Sequence, residues 1–318
     1  MTTFRTFRNI DPPALAAIWR SQAAQPGLMQ PVSVDLFEQF IFGKLYFDYE
    51  GLVLAFDDDR PVGFAHAGFG PNAAGDRITT DKGATCLVLV RPDCPRAEVA
   101  EGLLQQCESY LRCRGAKVLY GGAARPLDPF YLGLYGGSGL PGVLDSDTVA
   151  QEAYQAAGYE RAERTLLFRR SLDEFRPVVD RRQVQFRRRM SVELKMDPPA
   201  RSWWEACTTG DFDLSRFELT ERGGGHVLAS ATYRGIEPTS GSDPGRVVGL
   251  LDLEVEGEHR RQGFATFLLG ESLRQHVRHG VSAVEALVAE DNQSGVGLFE
   301  KLGLGRVEQG TVFRKNEQ

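Results

Sequence analysis

Apolar residues recur along the chain with two alternating periods. Short runs dense in Val, Leu, Ile and Phe ("GLVLAF", "ATCLVLV", "RVVGLLDLEV", "AVEALVA") predict buried strands, whereas "DPPALAAIWRSQ", "PRAEVAEGLLQQCESYLRCRG" and "RQGFATFLLGESLRQHVRHG" space apolar positions three and four apart and predict helices. Local punctuation agrees. Asp11 before two prolines marks a helix start, and Gly115, Gly158, Gly280 and Gly303 follow the last periodic residue of four helices. In order, the first half predicts the strand "TFRTFR", a helix, a second helix "SVDLFEQFIFGK", and a hairpin of "GLVLAF" and "PVGFAHAGF" across "DDDR". A buried strand, a helix, the strand "KVLYGG", the helix "DTVAQEAYQAAG" and the strand "ERTLLFRR" complete it.

The second half repeats the later part of that order. "RFELTER" and "HVLASATYRG" predict a hairpin, followed by a buried strand, a helix, the strand "AVEALVA", the helix "NQSGVGLFEKLG" and the strand "VEQGTVFRK". "LVLVRPDCPRAEVAEGLL" aligns with "LEVEGEHRRQGFATFLL" when one residue is added to the first turn, and "AYQAAGY" aligns with "LFEKLGL". The Val90–Gly158 spacing exceeds the Val255–Gly303 spacing by 20 residues, which places an insertion at Leu127 to Ser146. Its "FYLGLYGGSGLPG" interleaves glycine with Phe130, Tyr131 and Tyr135. Two readings stay open for it: a mobile lid with aromatic anchors, or a loop that packs its aromatics on the sheet. No Lys-Ser/Thr pair accompanies these glycines, so they do not read as a nucleotide loop.

A chain of 318 residues exceeds the usual single domain, which fits two units. They are drawn at 1–170 and 190–318, joined by an arginine-rich linker at 171–189; its arginines read either as a solvated linker and edge strand or as a surface for an acidic partner. The net charge of −6 argues against a nucleic-acid partner and mildly favours a cationic substrate. The absence of a long apolar run argues against a membrane span or secretion signal, so a cytoplasmic location is expected. Cys86, Cys94, Cys107, Cys113 and Cys207 are scattered and never spaced C-x-x-C, which predicts thiols and no metal site.

The candidate chemistry lies where the strand ending at Val255 turns into a helix through Arg260-Arg261-Gln262-Gly263-Phe264-Ala265. The first N–H groups of that helix lack intrahelical partners, Gly263 allows close approach, and Arg260 and Arg261 add charge, so the turn suits an anion such as a diphosphate. Asn292, Leu298, Phe299 and Gly303 follow on a second strand–helix unit. This combination resembles the GNAT superfamily of acyl-CoA-dependent N-acyltransferases in its tandem, two-domain form. The resemblance implies an α+β fold of two domains, each a mixed, mostly antiparallel, splayed sheet flanked by helices. It further implies that Leu253 and Val255 meet the pantetheine arm of acetyl-CoA, that Arg260 to Ala265 cradle the pyrophosphate, and that Asn292 and Phe299 lie against the cofactor.

The first copy departs from the pattern, with Pro95 and Glu98 where the family has arginine or glutamine and glycine. It is therefore expected to serve structure or to complete the other half's substrate pocket. For the base, Asp252 and Glu254 alternate with Leu251, Leu253 and Val255 and are expected to share the face opposite the apolar one. Glu254 is the first candidate and Asp252 the second, with His259 and His226 as alternatives. Many family members carry an acidic tyrosine where this chain has Phe299, while the first copy keeps Tyr154. The expected activity is transfer of acetyl from acetyl-CoA to a primary amine, small or peptidic, by direct attack in a ternary complex. The alternative is a non-catalytic coenzyme A or acyl-CoA binding or sensing protein. Internal duplication favours a monomer.

Overall fold

The computed structural model describes residues 2–123, 125, 127, 130–236 and 245–316. Residues 128 and 129 of the expected insertion lie outside the described residues. In the first half β1 (Thr2–Thr6), β2 (Leu52–Asp57), β3 (Arg60–Pro71) and β4 (Ile78–Val90) pair antiparallel in succession, and β5 (Val118–Gly121) joins β4 in parallel. Helix α1 (Pro12–Arg20) and the short α2 (Val34–Phe37), which continues as one π-helical turn, precede β2. The long α3 (Arg96–Cys113) follows β4; β6 (Val143–Leu144), α4 (Thr148–Ala156) and β7 (Glu160–Ser171) follow β5.

Residues 181–189 of the expected linker form a helix, α5 (Arg181–Arg189), which Asp180 caps by accepting from the Gln183 N–H at 2.9 Å. Phe186 packs on Phe264 and Phe267, with ring centroids 4.7 and 5.8 Å away. The second half then runs β8 (Met190–Met196), α6 (Trp203–Thr209), β9 (Leu214–Glu221), β10 (Val227–Ile236) and β11 (Arg246–Val255). It closes with α7 (Phe264–Arg278), β12 (Val281–Ala289), α8 (Gln293–Lys301) and β13 (Gly305–Asn316). Strand β8 is the edge strand read at the end of the arginine-rich stretch, whereas helix α6 has no counterpart in the sequence reading; together they supply the start of the second copy.

All these strands belong to one sheet in the order β1-β2-β3-β4-β5-β13-β7-β12-β11-β10-β9-β8, with β6 paired to β13 off the path. The order is the same from either end once β8 to β12 are matched to β1 to β5 and β13 to β7. The closing strands are exchanged: β13 lies beside β5 of the first half, and β7 beside β12 of the second. β13 and β7 pair with each other from Gly305↔Arg169 to Arg314↔Glu160. Two splayed α+β sheets are thus fused edge to edge.

The first half covers one sheet face with α3 and α4, burying Leu103, Leu104 and Tyr154, and the other with α1 and the insertion, burying Leu15, Trp19 and Tyr131. The second half packs α7 and α8 on Phe217, Leu250 and Ala286. Phe130, Tyr131 and Tyr135 are each 2% exposed, so the insertion is packing material and not a lid.

Candidate functional site

In β10, Thr232 stands opposite Asp252 while its neighbour Tyr233 stands opposite Leu250, so Leu251 is one residue extra in β11. Such a bulge bends a strand and breaks its pairing. β11 pairs with β12 only up to Leu250↔Ala286, whereas β12 continues along β7 to Ala289. From Leu251 to Val255, therefore, β11 has a strand partner on the β10 side alone among the described residues. The bulge also changes which side chains share a face. Leu253 and Val255 pack against the second-half core, but Leu251 joins Asp252 on the wall of a cavity. The simple alternation expected from the sequence holds for Leu253 and Val255 and fails at Leu251, because the extra residue resets the period.

Beyond β11, one 3₁₀ turn at Gly257–His259 leads to Arg261, with φ of 63°, and to Gly263, with φ of 97°, at the N-cap of α7. No side chain caps that helix end. The flanking side chains brace the loop instead. Arg260 Nε donates to the Val255 carbonyl at 3.1 Å, Gln262 Nε2 to the Glu258 carbonyl at 2.9 Å, and Arg261 Nη1 to Ser294 Oγ at 2.6 Å. Phe264 is buried beneath His259 and Phe186, and Ala265 is half-buried. The uncapped amides, the left-handed glycine and the neighbouring guanidinium groups thus stand together at one turn, a donor set of the kind that binds anions. Asn292 caps α8, its Oδ1 accepting from the Gly295 N–H at 3.0 Å. Phe299 is 5% exposed and packs edge-on against Phe168 at 5.5 Å.

The first half carries the same bulge at Cys86, which is skipped between His66↔Leu87 and Ala67↔Thr85, and β5 leaves β4 at Thr85↔Gly121. Its splay is filled by its own chain. Tyr154 donates its hydroxyl to the Thr85 carbonyl at 2.9 Å, and the Tyr135 hydroxyl accepts from the Leu144 N–H at 2.9 Å. The space among Cys86, Val88, Tyr135, Val143 and Tyr154 has a cavity volume of about 0 Å³. At the matching turn, Asp93 pairs with Arg60 and Arg91, and Pro95 stands at the N-cap of α3.

The cavity beside Leu251 and Asp252 measures about 230 Å³ and lies at the junction of the halves. Arg125 and Leu132 come from the first half; Arg201, Trp204, Glu205 and Thr208 come from the start of α6 and its first turns. Ser202 caps α6, its Oγ accepting from the Glu205 N–H at 3.1 Å, and Glu205 Oε2 reaches back past the cap to accept from the Arg201 N–H at 2.6 Å. The S-x-x-E spacing of Ser202-Trp203-Trp204-Glu205 is the sequence signal for this helix. Arg201 then gathers three carboxylates, Glu205 at 3.1 Å, Asp252 at 3.0 Å and Glu254 at 2.6 Å. The hydrogen bond to Glu205 holds the guanidinium above its ordinary pKa. Burial pushes the Glu205 carboxyl up, but Arg201 outweighs it and the net direction is down. Asp252 lines the cavity, while the Glu254 side chain is 59% exposed. His226 and His259 both face Glu256, at 2.8 and 3.5 Å.

A charged row fixes the insertion to the second-half sheet. Arg234 on β10, Gly249 on β11, Glu285 on β12 and Arg169 on β7 are in register. Arg234 donates to the Gly137 carbonyl, Arg169 Nη1 donates to Glu285 Oε1 at 2.9 Å, and the bare Cα of Gly249 leaves room for Ser138. Burial lowers the Arg234 pKa to about 10 and raises that of Glu285. Next to this row, Arg125 Nη1 donates to the Leu251 carbonyl at 3.0 Å.

No curated protein matches the sequence. Among solved structures the fold resembles a tandem GNAT protein from the clavulanic acid biosynthesis pathway, at 15% identity and a TM-score of 0.66, covering 99% of this chain and 98% of that one. A GCN5-related N-acetyltransferase from Sphaerobacter thermophilus gives 17%, 0.65, 99% and 95% for the same quantities. A glucosamine N-acetyltransferase region of a fungal multi-domain β-N-acetylglucosaminidase superposes with a TM-score of 0.71 at 15% identity, covering 99% of this chain and 38% of that one. At these identities the likeness is one of fold. The model of the acetyltransferase (GNAT) family matches twice, at residues 15–133 and 182–304, and with both copies so matched the chain belongs to that family.

Proposed function

We propose that this chain is an acetyl-CoA-dependent N-acetyltransferase that holds coenzyme A on its second half and acylates a primary amine by direct attack in a ternary complex. Family membership supports acyl-CoA acyltransferase activity in general. The observation that carries the finer reading is the contrast between the two splays. The first is filled by Tyr135, Val143 and Tyr154, whereas the second stands between an uncapped helix N-terminus and a cavity.

In this reading the amides from Gly263 to Ala265, with Arg260, Arg261 and Gln262 bracing the loop, take the diphosphate, and the Phe264 ring anchors the turn. The free backbone edge at Leu253 and Val255 receives the arm, with Asn292 and Phe299 at the far wall. The bound thioester supplies an activated acyl carbon. The chain's own groups deprotonate the acceptor and orient it. Asp252, on the cavity wall, takes the ammonium proton directly or through water, and Glu254 is the more exposed second candidate. A backbone N–H at the bulged strand meets the negative charge that develops on the acyl oxygen. The N–C bond forms as the C–S bond breaks. Phe299 cannot donate a proton, so water protonates the departing thiolate, whose ordinary pKa of about 8.5 makes it a tolerable leaving group.

Free-thiol release from acetyl-CoA against an amine panel, with coenzyme A titrated in parallel, tests the proposal. Amine-dependent release is expected. Phe299 and the filled first splay favour a second reading, a non-catalytic binder, and tight coenzyme A binding with no release for any amine would establish it.

A further inference from the structure

The cavity at the junction contains both signs of charge, and they are not equally engaged. Its carboxylates, Glu205 and Asp252, are both paired to Arg201, which also takes Glu254. Every nitrogen of that guanidinium is in use: Nε and Nη2 on Glu205, Nη2 also on Asp252, and Nη1 on Glu254. Arg125 is different. One of its nitrogens donates to the Leu251 carbonyl, and among the described residues it pairs with no carboxylate. Arg125 is exposed on the cavity lining, and a guanidinium offers a planar fork of several donors, so the rest of that fork is open to an incoming anion. Arg234 is buried, with its Nε lacking a partner among the described residues; burial holds its pKa down, Glu285 offsets part of that, and the charge of Arg125 lowers it slightly further.

We infer that Arg125 is a specificity-determining residue and that the acceptor is an amino-carboxylate, whose carboxylate Arg125 receives while its amine meets Asp252. This rests on the acyltransferase reading above and names its substrate class. It also gives the first half a direct part in the reaction. The half whose own splay is filled supplies the residue that selects the acceptor for the other. The competing expectation from net charge is a diamine drawn to Glu205, Asp252 and Glu254. Either acceptor would bring an amine to Asp252; only the amino-carboxylate also brings an anion to the Arg125 fork, which pairs with no carboxylate among the described residues.

The test uses the full chain and matched acceptors: glycine, β-alanine and 4-aminobutyrate, each with its carboxamide and with the diamine of equal length. Thiol release gives kcat/KM, and calorimetric titration into coenzyme A-loaded protein gives affinity. At one or more lengths the carboxylate should exceed both counterparts by at least about tenfold, the range expected for one charge-assisted fork. Arg125→Gln should remove that preference through KM with little change in kcat and none in coenzyme A affinity, and Arg125→Lys should restore part of it. Diamines preferred at every length, no preference at all, or an unaltered preference in Arg125→Gln would overturn the inference. Absence of coenzyme A binding would instead sink the acyltransferase reading, while titration of the unloaded protein with 4-aminobutyrate would still report on Arg125.

Discussion

Gly249 gives a prediction whose sign is set by geometry. Replacing a strand glycine by alanine ordinarily stabilises a protein by about 0.4–1 kcal/mol, because the unfolded chain loses freedom. Gly235, nearby on β10, should behave that way, since a Cβ there meets nothing within 4 Å. At Gly249 the same carbon would stand 2.9 Å from both Cα and Cβ of Ser138 and 3.0 Å from Ile236 Cδ1. The isoleucine tip can rotate away; the Ser138 backbone moves only if the insertion lifts from the sheet. Overpacking of this kind costs about 1–3 kcal/mol, and displacement weakens the Arg234–Gly137 hydrogen bond by roughly 1 kcal/mol more. The net for Gly249→Ala is a loss of about 1–3 kcal/mol, or several degrees in melting temperature for a chain of this size. Gly235→Ala should shift the melt slightly upward. Differential scanning calorimetry of the pair decides the matter, with limited proteolysis reporting increased cleavage between residues 130 and 144 in Gly249→Ala. If Gly249→Ala melts at or above the parent, the insertion is not seated as described, and its role as cavity wall goes with it.

Other outcomes follow from the same structure. Gly263→Ala should fold with a cost of about 1 kcal/mol, because its φ of 97° is left-handed while its Cβ meets Gln183 and Phe186 no closer than 3.5 Å; coenzyme A affinity, read by titration, should fall at least about tenfold as the first amides rotate. Asp252→Asn should lower kcat more than Glu254→Gln does, and stopped-flow thiol release showing the reverse order would move the base to Glu254. Tyr154→Phe removes one of the two donors of the Thr85 carbonyl, which keeps the Gly122 N–H at 2.9 Å, and should cost about 0.5–1.5 kcal/mol in urea unfolding while leaving coenzyme A binding intact. His276 is buried against Phe217 and Tyr233, and burial lowers its pKa to about 4. The folded value lies below the unfolded one of about 6.5, so this contribution is complete above pH 6.5 and is lost as pH falls toward 4, up to about 3 kcal/mol. Melting curves of His276→Phe should accordingly decline less steeply than the parent's across that window.

The elements legible in the sequence are those whose signal is local. The buried strands around Val88, Val248 and Val284, the long helices α3 and α7, and the glycine that opens α7 all announce themselves by period and punctuation. The duplication was equally visible, because both copies repeat that grammar. What escaped depends on partners. The bulge at Leu251 is a mismatch of register with β10, so alternation alone assigned that residue to the wrong face. Helix α6, which carries Glu205 and follows Arg201, is too short for periodicity to reveal, although the S-x-x-E of its start is spelled in the sequence. The insertion has the glycine content of a surface loop, yet Tyr131 and Tyr135 are core residues, since distant parts of their own half bury them: Trp19 and His66 stand against Tyr131, and Cys86, Leu144 and Tyr154 surround Tyr135.

The exchange of β7 and β13 bears on how such a chain can be made. During synthesis the leading copy reaches β5 and finds no neighbour for that strand's free edge until residues 313–316 emerge some two hundred positions later. Truncation before β13 should therefore damage the distal copy's partner as much as its own, leaving an open β5 edge prone to self-association. Two separately expressed pieces, split in the stretch between Ser171 and Arg181, should reassemble only by trading their closing strands, which makes the tandem a single cooperative body whose ends must meet before either portion is complete.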